Sequence, residues 1–447
     1  MFWFRRDLRL ADNPALNAAI KASADGSVIA VYAYSGDEFQ SLEGIRQHSI
    51  YESIRALDDS IDGQLNVTSQ APEIGIIELA LEHGVRQVFA TRAFDPLGVE
   101  EQNAVGEALA KASISLNLID SYYAVLPGTV AKPDLTPYRV YTPFFRAWSE
   151  IGWDAPFALA TGAKWLKVTG GPEALQPSKP APFKVKAGEQ FALRTWQRFK
   201  DRALYDYDEM RNRADLSGTS HLSHALAFGE IHPRTLLAEL ADVPGHVVFR
   251  KEIAWREFYA DVLWHNPHTQ TEYYEPRFAR MRYDEGDLAD ARLLAWQQGK
   301  TGFPMVDAGM RQLLETGWMH NRVRMIVASF LVKDLHIEWQ HGASWFERHL
   351  SDFDPASNAH GWQWTAGCGT DASPYFRVFN PILQGYKFDP DGDYIRKYIP
   401  ELRHISGASV HEPWVLIDGL ANGYVAPIVD HSAERDEALR RLEEIKN

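Results

Sequence analysis

Short β-rich runs alternate with helical patterns over the first 120 residues, and from Phe191 onward the pattern is helical throughout. That change of period constrains the fold most, because side chains repeat every second residue along a strand and every 3.6 along a helix. The runs are Phe2–Phe4, Val28–Tyr34, Leu65–Thr68, Gln87–Ala90 and Ser115–Ile119. Val28–Tyr34 is nearly all apolar, as a strand buried on both faces of a parallel sheet must be. Helical patterns over Ile45–Leu57 and Ile74–Leu81 lie between the runs. The alternation predicts an α/β domain over residues 1–125, a parallel Rossmann-like sheet with helices on its faces. The first run is so short that a natural start a few residues upstream is expected. Pro172, Pro177, Pro180 and Pro182, with Gly170, Gly171 and Gly188, predict a connection over the surface, within a connector spanning 126–190. Apolar residues at helical spacing in Val247–Leu263, Phe303–Leu314 and Arg322–Leu335 predict an all-α domain over 191–447. Gly317 and Gly342 are expected to end helices, and Glu434–Lys446 to close the chain as a charged helix.

Of the 447 residues, 45% are hydrophobic and 24% charged, a soluble globular composition with no apolar run long enough for a bilayer. The start, Met-Phe-Trp-Phe-Arg-Arg-Asp, does not read as a secretory signal. A cytoplasmic monomer without a membrane partner is expected. The single cysteine, Cys368, excludes an intramolecular disulfide. A net charge of −14 argues against nucleic-acid-binding charge all round the protein but allows a local basic face. No Gly-x-Gly-x-x-Gly follows the first run, and no Walker loop, Gly-x-Ser-x-Gly, His-Glu-x-x-His or Cys-x-x-Cys occurs. Dinucleotide, hydrolase, NTPase and metal readings therefore lack support.

Four groups of residues carry chemistry. Glu252, Trp255 and Arg256 share one helix face by spacing, although a surface salt bridge beside a half-buried indole accounts for them equally. Asn321, Arg324 and Met325 repeat that spacing at the head of a helix whose continuation, Ile326–Val332, is almost wholly apolar. An arginine entering a core needs a partner, and Asp352 and Asp354 are available; a structural ion pair explains this as well as a site does. Asp352, Asp354 and Asn358 suit a ring system with N–H donors and a carbonyl, as an isoalloxazine has. Trp362 and Trp364 would diverge by about 200° on a helix, so that only one could face a ligand, although two core tryptophans are the commoner case. They belong to six tryptophans between Trp296 and Trp364, out of 14 in the chain. Thr219-Ser220-His221-Leu222-Ser223 places three hydroxyls ahead of a helix, to cap it or to hold phosphate.

Five stretches, in this order, resemble the photolyase/cryptochrome family over nearly the whole chain. They are Trp3–Leu10 with Asp12-Asn13, Tyr138–Phe144, Gly317–Met325, Gly361–Trp364 and Asp371–Pro381. Within the family the chain is most similar to class I cyclobutane pyrimidine dimer photolyases. The resemblance implies an N-terminal antenna domain and a helical C-terminal domain holding FAD. It assigns Tyr207, Thr219, Ser220, Leu222 and Ser223 to the phosphates and ribityl chain, and Arg256, Asn321, Arg324, Asp352, Asp354 and Asn358 to the flavin and adenine. Asn358 would lie near flavin N5, which favours a repair enzyme. Phe249 stands where a tryptophan often flanks the FAD, and His221 where an arginine is common. Trp362, Trp339 and Trp296 match an electron-transfer chain running from flavin to surface. Glu252, Trp255, Asn321, Met325 and Trp364 match the pocket for a flipped-out dimer, with Arg322, Arg377 and Lys251 as cations around its mouth. The implied function is light-driven repair of cyclobutane dimers in UV-damaged DNA, in which excited reduced FAD gives the dimer an electron. Asn321, where animal (6-4) photolyases usually carry histidine, favours that lesion. The alternatives are a (6-4) photolyase, a cryptochrome photoreceptor, and a flavin redox protein without a DNA role. Thr91–Glu100 lacks the Asn-Glu pair that holds folate in some relatives, which argues against a folate antenna and leaves a deazaflavin, another chromophore or none.

Overall fold

The structure, a computed structural model, describes residues 1–159, 161–371 and 376–446. Its Cα packing divides into two compact units. One comprises Met1–Tyr205 and Ser220–Pro267, the other Asp206–Thr219 and His268–Asn447.

The first unit is built on a parallel sheet. Its strands are β1 (Phe2–Phe4), β2 (Ser27–Val28), β3 (Ala30–Ala33), β4 (Asn66–Thr68), β5 (Gln87–Thr91), β6 (Ser115–Ile119) and β7 (Lys164–Trp165). Five of them form one sheet in the order β4-β3-β1-β5-β6, a doubly wound topology. β1 lies in its middle, with Trp3 opposite Val31 on one side and Ala90 on the other. A central strand is buried on both faces, which is why Phe-Trp-Phe carries no polar residue. Phe2 and Phe4 join the apolar cluster of Tyr32 and Val67, while Trp3 joins that of Val31 and Val88.

The expected strand Val28–Tyr34 is two strands. Ser27–Val28 pairs with β7 while Ala30–Ala33 pairs with β1 and β4, so the chain changes partners at Ile29. The connector is correspondingly more than a surface tether. It contributes β7, and Leu175 in its short 3₁₀ turn is buried beneath the sheet helices.

The Trp3–Leu10 stretch ties this unit together. The buried Asp7 carboxylate accepts from the Arg5 N–H, from Thr91 Oγ1 at 2.7 Å and from Asn13 Nδ2, joining the ends of β1 and β5. Arg9, also buried, donates to the carbonyls of Gly229 at 3.0 Å, Asp12 at 2.9 Å and Ser121 at 3.2 Å. Arg6 donates to Ala227 O. These bonds bring Ser220–Pro267, with its 22-residue helix Pro244–His265, into the first unit.

The second unit is helical. The helix Asn321–Lys333, wholly buried from Ile326 on, packs among Pro304–Thr316, Trp339–His349, Pro355–Ala366 and Pro381–Phe388. Gly317 ends its helix in the left-handed region at φ 61°, as expected. Gly342 does not. It lies inside Trp339–His349, where a Cβ would meet the Trp362 ring at 2.1 Å; close helix approach, not chain reversal, reserves that position for glycine. The charged helix closing the chain is His431–Glu444. No helix among the described residues is long and apolar enough to cross a membrane.

Candidate functional site

In the first unit, the Pro244–His265 helix carries Phe249, Glu252, Trp255 and Arg256. Phe249 is buried, its ring stacked on Trp196 at 5.5 Å and tilted against Phe199 at 5.2 Å. Glu252, Trp255 and Arg256 are half-buried, as an amphipathic face should be. Their partners differ. Trp255 stacks on Tyr141 with ring centroids 3.7 Å apart and planes 8° from parallel. The Arg256 guanidinium lies over Tyr122 and Tyr123 and donates to Leu226 O at 3.2 Å. Lys251 sits one turn before Trp255, its ammonium 5.9 Å from the Phe145 ring. Ahead of the short helix Ser223–Phe228, the Ser220 hydroxyl accepts from the Leu222 N–H, and Leu222 is buried.

In the second unit, the head of the Asn321–Lys333 helix collects most of the expected residues. His320 caps it by accepting from the Arg322 N–H, and Asn321 stands exposed at its first position. Arg322 forks onto Asn212 Oδ1 at 2.7 and 3.2 Å, lies over Phe388, and approaches Met325 Sδ at 3.4 Å. Arg324 donates to Met319 O and to Asp352 Oδ2 at 2.7 Å, the partner its entry into a core demanded. The choice between the two acids is settled by local chemistry. Asp354 precedes Pro355 and caps the Pro355–Ala366 helix, accepting from the Ser357 N–H at 2.9 Å. One turn on, Asn358 Nδ2 donates to Ala343 O at 3.1 Å, which turns its carboxamide oxygen into the acceptor end. Tyr207 is buried under the Arg211 guanidinium, and Thr219 is half-buried.

The Pro355–Ala366 helix confirms that Trp362 and Trp364 point to different sides, Trp362 buried at 3% exposure and Trp364 half-buried. Trp339 is fully buried, edge-on to Tyr273 at 6.2 Å. Arg377 is exposed, and its carbonyl accepts from the buried Lys333 ammonium at 2.6 Å. Residues 372–375 of the Asp371–Pro381 stretch lie outside the described residues.

One atom bears directly on a ligand. The Asp352 side chain is 1% exposed, and among the described residues its Oδ1 has no hydrogen-bond partner although Oδ2 is paired with Arg324. A buried carboxylate oxygen left bare is costly, and an N–H donor from a bound ring would satisfy it. The residues present therefore fit a flavin.

Family models match the chain in two places, DNA photolyase over residues 1–160 and the FAD-binding domain of DNA photolyase over 249–444. The chain is 39% identical to the deoxyribodipyrimidine photo-lyase of Agrobacterium fabrum, over 99% of this chain and 97% of that one. The chain belongs to the photolyase/cryptochrome family. Among solved structures, a bacterial class III photolyase from Agrobacterium tumefaciens superposes with a TM-score of 0.89 at 38% identity, covering 100% of this chain and 97% of that one. An archaeal photolyase from Sulfolobus tokodaii, solved with two FAD molecules, gives 0.87 at 26% identity, covering 99% of each.

Within this photolyase fold, one expected role needs correction. Trp296 cannot be the surface end of an electron chain, because it is fully buried, with Nε1 donating to Val327 O at 3.0 Å. It touches Trp362 directly, edge-on at 6.1 Å, and stacks on Phe346. The resemblance places Trp296 by its position in the sequence, which does not separate a tryptophan at the end of such a row from one behind its first member. Sequence reasoning also missed a cavity of about 580 Å³ in the first unit, lined by Phe94, Glu100, Asn103, Glu107, Leu263 and Trp264. Trp264, 40% exposed, was the available signal.

Proposed function

We propose that this photolyase-family chain splits cyclobutane pyrimidine dimers in UV-damaged DNA under light. The observation that carries the reading is the Arg324–Asp352 pair with its bare, buried Oδ1, at the head of the helix that begins with Asn321. Reduced FAD, when bound, supplies the photo-excited electron that opens the cyclobutane ring. The chain's own residues supply placement. Asp352 accepts an N–H of the ring system, held in line by Arg324, whose second bond to Met319 O fixes the guanidinium. Asn358, anchored to Ala343 O, presents a carboxamide oxygen to a second N–H. Thr219, Ser220 and Ser223 offer hydroxyls to phosphate, Tyr207, Leu222 and Ser223 serve the phosphates and ribityl chain, and Arg256 serves the flavin and adenine. Glu252 and Asn321 hydrogen-bond the base edges of the flipped dimer, while Trp255, Met325 and Trp364 stack against it. Arg322, Arg377 and Lys251 draw the DNA backbone.

Asn321 supports the cyclobutane dimer over the (6-4) lesion, and the motifs quoted above support class I, although the class III structure shares 38% of its sequence with this chain. The same reading takes residues 1–125 as antenna domain, 126–190 as connector and 191–447 as FAD domain, in a cytoplasmic monomer. The second chromophore would sit in the cavity beside Trp264, whose indole, two carboxylates and amide suit a flat heterocycle with N–H donors.

The test is illumination of the reduced, FAD-loaded protein with an oligonucleotide carrying one thymine dimer and, separately, one carrying a (6-4) product. Restored thymines in the first and no change in the second are expected. Repair of the (6-4) product alone would move the assignment to that lesion, and repair of neither would leave a cryptochrome photoreceptor or a flavin redox protein without a DNA role.

A further inference from the structure

The Tyr138–Phe144 stretch is absorbed by none of the roles above, although it is one of the five that mark the family. The helix it opens, Tyr141–Ile151, places Tyr141, Phe145 and Trp148 on one face by their spacing of four and three. Their rings form a column. Trp148 and Phe145 stack at 6.1 Å with planes 21° apart, and Phe145 and Tyr141 at 5.9 Å and 26°. The column ends on Trp255, stacked on Tyr141 at 3.7 Å and 8°. Its foot is fixed, since Trp148 is fully buried and donates from Nε1 to Glu257 Oε2 at 2.7 Å. Its top is fixed too. The Tyr141 hydroxyl donates to Lys251 O at 2.7 Å. In a regular helix that carbonyl also receives the Trp255 N–H, four residues on. The second lone pair of one carbonyl therefore joins Tyr141 to the turn that carries Trp255.

We infer that Tyr141 is a positioning residue for dimer binding: it presses one face of Trp255 flat, so that the indole is already oriented before a base stacks on it. This rests on the reading of Trp255 as part of the lesion pocket. The consequence is one of pre-organisation. A free indole loses rotamer freedom on binding, and a pinned one has lost it already. Removing the tyrosine ring should therefore weaken dimer binding, by roughly threefold to tenfold, the usual entropic effect of ordering one large side chain.

The experiment compares Tyr141→Leu, Tyr141→Phe and Trp255→Ala with the wild type, all loaded with FAD. It measures binding to a thymine-dimer oligonucleotide and to the undamaged strand, and the repair yield at saturating dimer. Tyr141→Leu should lose dimer affinity in that range, keep undamaged-strand affinity, and change the yield at saturation far less. Tyr141→Phe, which retains the ring, should recover most of the loss. If the leucine variant fails to hold FAD, Tyr141→Met takes its place. Wild-type dimer affinity in Tyr141→Leu alongside a loss in Trp255→Ala would overturn the positioning role and leave the pocket standing. Equal loss for damaged and undamaged strands, with no recovery in Tyr141→Phe, would show a merely structural tyrosine. Wild-type affinity in Trp255→Ala would remove both the pocket reading and this inference.

Discussion

Gly342→Ala should destabilise the protein, although it replaces the helix-breaking residue by the best helix former. Gly342 lies in the interior of Trp339–His349, where alanine should gain about 1 kcal/mol in helix propensity. Against that stands a collision. The added Cβ would lie 2.1 Å from Trp362 Cη2, 2.5 Å from Cζ3 and 2.7 Å from Leu331 Cδ2, where ordinary contact begins at 3.4 Å. The indole would have to retreat by more than an ångström, yet Phe346 at 5.0 Å and Trp296 at 6.1 Å stand against it. Overpacking of a closed core costs about 1–3 kcal/mol, and more where nothing can move. Trp362 is 3% exposed and Trp296 fully buried, so the upper part of that range applies. The net loss should be about 1–2 kcal/mol, which lowers the melting midpoint by about 3–6 °C for a unit of this size. Thermal unfolding at saturating FAD measures it, with urea unfolding to check that the slope is unchanged. A midpoint equal to or above the wild type would refute the reasoning, by showing that Trp362 has room to give way.

Further predictions concern charge and electron flow. Burial lowers the Lys333 ammonium from its usual 10.5 to about 7, against the opposing pull of Cys368 and Asp334. Below pH 7 the native and unfolded chains both hold the proton; above it only the unfolded chain does, so stability should rise with pH between about 7 and 10. Lys333→Met should flatten that rise in a series of melting curves, and parallel profiles for variant and wild type would exclude Lys333 as its source. Trp339→Phe should slow photoreduction of oxidised FAD while sparing repair by enzyme reduced beforehand, as followed by flavin absorbance and dimer loss. Unchanged photoreduction would point instead to a route through Trp296, which touches Trp362.

The sheet was legible because a central parallel strand must be apolar on both faces, and Phe2–Phe4 is. The break at Ile29 was not, since two-residue pairing between β2 and β7 leaves no period to read. The Arg324 partnership was legible as a requirement, because a guanidinium entering an apolar helix needs a carboxylate. Which acid met it depended on Pro355, which makes Asp354 a helix cap. Gly342 and Trp296 were misread for one reason. Their surroundings are set by Trp362, 20 and 66 residues away in sequence, and no local pattern carries that distance. Tyr141 went unassigned likewise, its partner lying on another helix.

Arg9 has a bearing on how the chain acquires its structure during synthesis. Its guanidinium is buried in the first unit with Gly229 O as one acceptor, 220 residues downstream. Translation runs at about 5–20 residues per second, so that acceptor emerges roughly 10–45 s after the arginine. Until then a charge meant for the interior has no complete set of acceptors, and the turn after β1 cannot close around it. The central strand can pair with both neighbours once β5 has emerged, but the arginine turn that follows it waits on a helix-bearing segment from beyond the middle of the chain.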